Sequence, residues 1–352
     1  MFPKDLSYRM PAEWCRHERT FISWPVRESM CYPQDYEPVC QGYREFVLAI
    51  SEFEPVTVIV NPDEYEEVKE SFDHPKIDFL PVPHNDSWIR DNGPTFLTDE
   101  KGNRAGVNWH FNAWGAKYMP WDLDDQVAPE ILNRFKMKRF DAPLVLEGGS
   151  FHVDGEGTLI TTEECLLNKN RNPHLTREQI EHHLKQFLNI EKVIWLKRGL
   201  SGDETDGHID NTACFASPGK VFIQVCHDSE DENFKIAREN LEILRNATDA
   251  RGRKIEIIEI QQPPKREMNG ERLTLSYINF YFVNDGIILP VFGGSAEETD
   301  RMAETILRET LPDRRIRKID GMSIIKEGGN VHCSTQQMPA PLNEQKPGNR
   351  KR

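Results

Sequence analysis

Apolar positions follow two alternating rhythms along the chain. Stretches with apolar residues at helical spacing are each followed by a short β-branched run, and the order repeats. Residues 36–53, with Phe46, Leu48, Ala49 and Ile50 toward the end, predict a helix, and Val56-Thr57-Val58-Ile59-Val60 predicts a strand. A further helix–strand pair is expected at 64–72 and 77–82. Polar residues 84–91 then lead into a hairpin around Asp99-Glu100-Lys101-Gly102.

The same order recurs four more times. The second unit has a helix near 125–135, a strand at Leu144-Val145-Leu146, then Glu147-Gly148-Gly149 and a turn at Asp154-Gly155-Glu156-Gly157. The third has a helix at 176–188 opened by Thr176, a strand at 192–196, a polar stretch at 202–210 and a turn at Ser217-Pro218-Gly219. In the fourth, residues 229–247 read as a helix whose Ser229 and Glu232 have capping-box spacing, followed by a strand at 254–260 and a turn at Asn284-Asp285-Gly286. The fifth has a helix at 296–311, a strand at 315–319, then Glu327-Gly328-Gly329-Asn330 and Cys333.

Asp-Gly and Pro-Gly turns tolerate the backbone angles of tight hairpins. Five such units predict an α/β fold with pseudo-fivefold radial symmetry. Thr20-Phe21-Ile22-Ser23-Trp24 is the candidate strand for closing the ring against the last unit. The alternative is two separate α/β domains, but no Pro/Gly/Ser-rich linker divides the chain. Residues 1–340 are therefore expected to form a single catalytic domain and 341–352 a polar tail.

Composition narrows the function. The 352 residues carry 44 Lys and Arg against 58 Asp and Glu, a formal net charge of −14, and 38% are hydrophobic. Basic clusters are short, which argues against nucleic acid and suits a small cationic ligand. No apolar run is long enough to cross a membrane, and the first residues lack a signal core. The seven cysteines, at 15, 31, 40, 165, 214, 226 and 333, are odd in number and irregularly spaced. Free thiols in a reducing cytoplasm are expected, with one thiol available for chemistry and the rest for packing. A homo-oligomer is compatible with the sequence.

Dinucleotide, P-loop, His-Glu-x-x-His and Gly-x-Ser-x-Gly motifs are absent. His182 and His183, adjacent on a helix, point about 100° apart and do not share a metal. What remains are the polar segments between strand and hairpin: Asp86–Pro94 with Trp88 and Asp91, Glu147-Gly148-Gly149, Gly202–Asp210 with Glu204, His208 and Asp210, and Gly328–Cys333. A radial arrangement brings these segments to one axis. Converging carboxylates repel one another unless a cation joins them, so the site wants either a metal or a cationic organic group.

These residues carry a resemblance. Met10-Pro11-Ala12-Glu13-Trp14, Trp109–Gly115, Ser276–Tyr281 and Gly329-Asn330-Val331-His332-Cys333 are similar to motifs of the peptidylarginine deiminase family, agmatine deiminase branch, in the guanidino-group-modifying (pentein) superfamily. The resemblance implies a five-bladed α/β propeller and hydrolytic deimination of agmatine, a step toward putrescine, without metal or organic cofactor. It implies that Cys333 is the nucleophile. His208 and Asp210 match the family's Gly-His-x-Asp motif, Asp91 its Trp-x-x-Asp motif and Glu147 its Glu-Gly-Gly motif. Glu204 stands where the family often has an aspartate, so recognition of the substrate's far end is less constrained than the chemistry.

On these assignments Asp91 and Asp210 grip the planar guanidinium with paired hydrogen bonds. Cys333 attacks its central carbon, and His208 serves as acid and then as base. Glu147, Glu204, Trp88 and Trp114 are the expected substrate contacts, with the two tryptophans flanking the four-carbon linker. Deimination of arginine or peptidylarginine, amidino transfer, and non-catalytic binding of guanidines or polyamines are the competing functions.

Overall fold

The computed structural model describes residues 1–27, 29, 36–325 and 328–341. Lys326, Glu327 and, of the expected tail at 341–352, residues 342–352 lie outside the described residues.

Hairpins and helices form where turn chemistry and amphipathic spacing require them. Positive φ at Gly102, Gly155, Gly219 and Asp285 turns the four hairpins. The Arg177–Leu188 helix opens with a full capping box between Thr176 and Gln179, buries Ile180, Leu184, Phe187 and Leu188, and stops at left-handed Asn189. The Glu232–Asn246 helix begins later than its sequence suggests. Its N-cap is Asp231, not Ser229, and Asp231 is also gripped by Arg272 at 2.7 and 2.9 Å. The strand placed at 144–146 is longer, Lys138–Val145. Phe140, Ala142 and Leu144 alternate inward while charged neighbours face out, so it offers no continuous apolar run.

Four three-stranded sheets share one topology, an antiparallel hairpin followed through a helical segment by a strand parallel to its second arm. They are Thr95–Thr98, Arg104–His110 and Lys138–Val145; Phe151–Val153, Thr158–Thr162 and Lys192–Leu196; Ala213–Ser217, Lys220–Val225 and Glu256–Gln261; and Tyr281–Val283, Gly286–Val291 and Arg315–Asp320. A small two-stranded ribbon, Glu267–Met268 with Glu271–Arg272, stands apart, and the fifth large sheet joins the two ends of the chain. His17–Ser23 lies between Val56–Val60, its parallel neighbour, and Gln336–Pro339, its antiparallel one, and Ile77–Pro81 extends the far edge. The predicted strand at 20–24 thus pairs with the final strand.

The structural repeat is cut differently from the sequence repeat. Each sheet is hairpin, helix, strand, so the polar segments are the connections that carry the chain from one sheet to the next. There are five: 82–94, 146–150, 197–212, 262–280 and 321–335. Apolar clusters between sheets and helices hold these connections. One packs Trp88 and Cys333 with Tyr281, Ile288 and Val331, and another packs Ile209 with Phe215 and Ile223.

Candidate active site

Each of the five connections delivers a side chain to one buried cluster. Asp91 lies in the short helix Ile89–Asn92, and its two oxygens accept from the Gly149 backbone N–H and the Trp114 indole N–H, both at 2.9 Å. His208 is fully buried, with Nδ1 3.8 Å from Asp91 and Nε2 4.0 Å from Glu147. Cys333 Sγ sits 3.4 Å from Asp210 Oδ2 and 3.1 Å from the Asn279 amide nitrogen. The cysteine is 4% exposed. The thiol, the imidazole and three carboxylates are thus brought together as predicted.

The electrostatics follow from burial and crowding. Burial, opposed by His208 and reinforced by Asp210 and Glu147, pushes the Asp91 carboxyl up to about 6. Burial alone would lower His208, but Asp91, Cys165 and Glu147 outweigh it and hold the imidazole well above its usual value. Burial, with Asp210 and Asp91 nearby, raises the Cys333 thiol well above the ordinary range. That field disfavours the thiolate form of Cys333. A cation between Asp91 and Asp210 reverses that field and favours the thiolate, to which Asn279 already donates.

A narrow cleft opens beside Cys333 and is lined by Trp88, Asp91, Trp114, Tyr118, Glu204 and Thr205 with the Gly328–Gly329 backbone. Glu204 is the one acid of its loop on this lining, where its carboxylate accepts from the Tyr118 hydroxyl. Asp206 is occupied by Lys117 at 2.8 Å and Arg171 at 2.6 Å, and Asp203 accepts from Thr205 within its own turn. Trp114 lines the cleft and also orients Asp91. Glu147, like His208 and Asp210, lies behind the lining. One of its oxygens pairs with Arg171 Nε at 2.6 Å and the other faces His208.

Sequence reasoning missed three participants. Asn279 is the contribution of the fourth connection, and only its place in the Ser276–Tyr281 motif pointed to it. Arg171 ties Glu147 to Asp206, to Thr205 O and to Trp114 O, linking three segments of the site. Cys165, read as a packing residue, brings its sulfur within 4.8 Å of both Glu147 and His208. That trio and Glu13–His152–His332 are the two tightest clusters of buried His, Cys and carboxylate side chains among the described residues, and in the second both His332 ring nitrogens are already engaged by carboxylates.

Gly149 leaves no room for a side chain. A β-carbon there would stand 2.6 Å from His208 Nδ1 and 2.9 Å from oxygens of both Asp91 and Asp210. All three are buried and cannot swing aside, so Gly149→Ala must displace the clamp or the imidazole. Displacements near 1 Å in such sites cost about a hundredfold in rate, and that loss is expected here with the melting temperature little changed. Steady-state rates on the purified variant check it. Turnover within a few-fold of the parent would mean that these groups do not act together.

Comparison with known proteins follows the same lines. Residues 9–339 match the model of the Porphyromonas-type peptidyl-arginine deiminase family. An agmatine deiminase of Stutzerimonas stutzeri is 42% identical over 367 residues, covering 97% of this chain and 98% of the relative. Among solved structures, the agmatine deiminase of Enterococcus faecalis superposes with a TM-score of 0.92 at 36% identity, covering 96% of this chain and 98% of that one. A cysteine-to-serine variant of C. jejuni agmatine deiminase with substrate bound superposes at 0.86 and 31% identity, with coverage of 95% and 97%.

Proposed function

The chain belongs to the Porphyromonas-type peptidyl-arginine deiminase family, and from that premise we propose that its buried cluster is the catalytic centre of agmatine deimination. The protein is a hydrolase of the guanidino C–N bond: agmatine and water give N-carbamoylputrescine and ammonia. The observation that carries the site assignment is the position of Cys333 Sγ, 3.4 Å from Asp210 and against an amide donor at 3.1 Å, on the wall of a cleft shared with Asp91.

Asp91 and Asp210 hold the guanidinium, and its charge favours ionisation of Cys333, whose proton is released to solvent as the substrate enters and regained when product leaves. The thiolate adds to the central carbon. His208, protonated in the free enzyme, gives its proton to a departing nitrogen as the C–N bond breaks and ammonia leaves. The resulting amidino-thioether is then attacked by water, whose proton passes to His208. Collapse of that adduct breaks the C–S bond and returns the thiolate. Glu147 faces the opposite nitrogen of the imidazole and acts as its orienting group, held by Arg171. Glu204 and Tyr118 meet the far ammonium, and Trp88 and Trp114 flank the linker.

The five sheets suit a five-bladed α/β propeller, with the connections at its axis and residues 1–340 as one catalytic unit. Seven cysteines, six of them free among the described residues, suit a cytoplasmic setting. Among the described residues no helix is long and apolar enough to cross a membrane.

Ammonia release from agmatine, free arginine and an arginyl peptide tests the substrate. Agmatine is expected to exceed arginine in kcat/KM by at least about tenfold, roughly 1.4 kcal/mol of discrimination. The guanidinium is common to both, so the difference arises where Glu204 would face an α-carboxylate. Equal efficiency, or a preference for arginine or the peptide, defeats the agmatine reading and leaves the chemistry standing.

A further inference from the structure

The motif at residues 10–14 lies far from the catalytic residues in sequence, yet its Glu13 is 4% exposed and points into the back of the site. Glu13 Oε2 is 2.7 Å from His332 Nε2, and the other ring nitrogen, Nδ1, is 2.9 Å from Asp210 Oδ2. That is the Asp210 oxygen nearest the Cys333 sulfur. Asp210 Oδ1 is buried without a hydrogen-bond partner in the protein.

A histidine flanked by two carboxylates has one good arrangement. Ionised carboxylates only accept, so each ring nitrogen must donate, and only an imidazolium donates from both. The local charges agree. Glu13 and Asp210 bring two negative charges, and Arg90, 3.8 Å from Glu13 and donating to the His332 carbonyl at 3.2 Å, brings one positive. His152, 3.7 Å from Glu13, is not the second cation, because its Nδ1 accepts the Phe215 backbone N–H at 3.2 Å. The remaining charge belongs to His332. Its backbone is fixed as well, since its N–H donates to Asn279 Oδ1 at 3.0 Å.

We infer that His332 is a permanent imidazolium clamped between Glu13 and Asp210, and that this pair positions Asp210 with Oδ1 left for the substrate guanidinium. His332 is a positioning residue that works through Asp210, and Glu13 is its counter-ion. The groups facing the ring are Asp210, Glu13, His152, Arg90 and the neighbouring Cys333. Burial and Arg90 would lower the imidazole, but Glu13 and Asp210 outweigh them and raise it, and Asp210 in turn is held below the usual carboxylate range despite its burial. The inference rests on the deiminase reading for what Asp210 binds.

Two measurements test it. In histidine-labelled protein without substrate, one imidazole, identified by its loss in His332→Gln, should stay protonated past about pH 8, where an ordinary histidine is neutral. In Glu13→Gln that resonance should titrate in the neutral range. In kinetics, His332→Ala should raise KM for agmatine by about tenfold or more, and His332→Gln, which keeps an amide donor for Asp210, should recover part of the loss. A ring that is neutral at pH 7 in the parent, an unchanged titration in Glu13→Gln, or parental KM in His332→Ala each overturns the inference. Failure of the deiminase reading looks different: the parent would release no ammonia from agmatine, while the substrate-free titration would still decide the state of His332.

Discussion

Cys333→Ser abolishes agmatine turnover, by about four orders of magnitude or more, and leaves the fold in place. The replacement differs by one atom in a seat shaped by Asn279, Asp210 and the Gly329 backbone, so packing is nearly conserved. Reactivity is not conserved. A thiol, even one raised by burial, comes within reach of ionisation when a cation enters, whereas a serine hydroxyl is far harder to deprotonate and does not. The variant should still bind agmatine, because Asp91 and Asp210 are untouched. Circular dichroism, a melting curve and an ammonia assay on the same preparation suffice. A folded serine variant with appreciable steady-state turnover eliminates the covalent route.

His208→Ala loses about 10³-fold or more in kcat, because one imidazole serves a proton transfer in each half-reaction and each is worth about 10²–10⁴. KM should not rise with it. Removing a cation from among Asp91, Glu147 and Cys165 makes the pocket more negative, which favours a guanidinium ligand. A fall in kcat at constant or lower KM therefore marks the acid–base role, and a defect confined to KM contradicts it. Intact-mass measurement after rapid mixing adds a second view: the amidino adduct on Cys333 should not build up in the variant.

The parts of this protein legible in sequence were those governed by local rules. Turn residues located the hairpins, and Thr176 capped its helix as expected. The segments that hold Asp91, Glu147, His208, Asp210 and Cys333 stand out because charged or nucleophilic residues in equivalent places are conspicuous, while the roles expected of them come from the family resemblance. Asn279 does not stand out, because the fourth connection presents a neutral amide among apolar neighbours. Its function depends on a sulfur 54 residues away. Arg171 lies in a loop with no pattern of its own, and what gives it meaning are partners from three other segments. Glu147 was expected to touch substrate. Its ion pair with Arg171 is a property of packing that spacing does not carry.

The pairing of His17–Ser23 with Gln336–Pro339 also bears on when activity appears. Cys333 lies three residues before that last strand, whose strand partner among the described residues is a segment more than 300 positions earlier. Contacts of such separation carry the greatest loop-closure cost and are the slowest to form. A growing or half-refolded polypeptide can complete several sheets and still lack a seated nucleophile. Catalysis is thus a late reporter of this chain: recovered turnover certifies that its two ends have found each other, which recovered helicity does not.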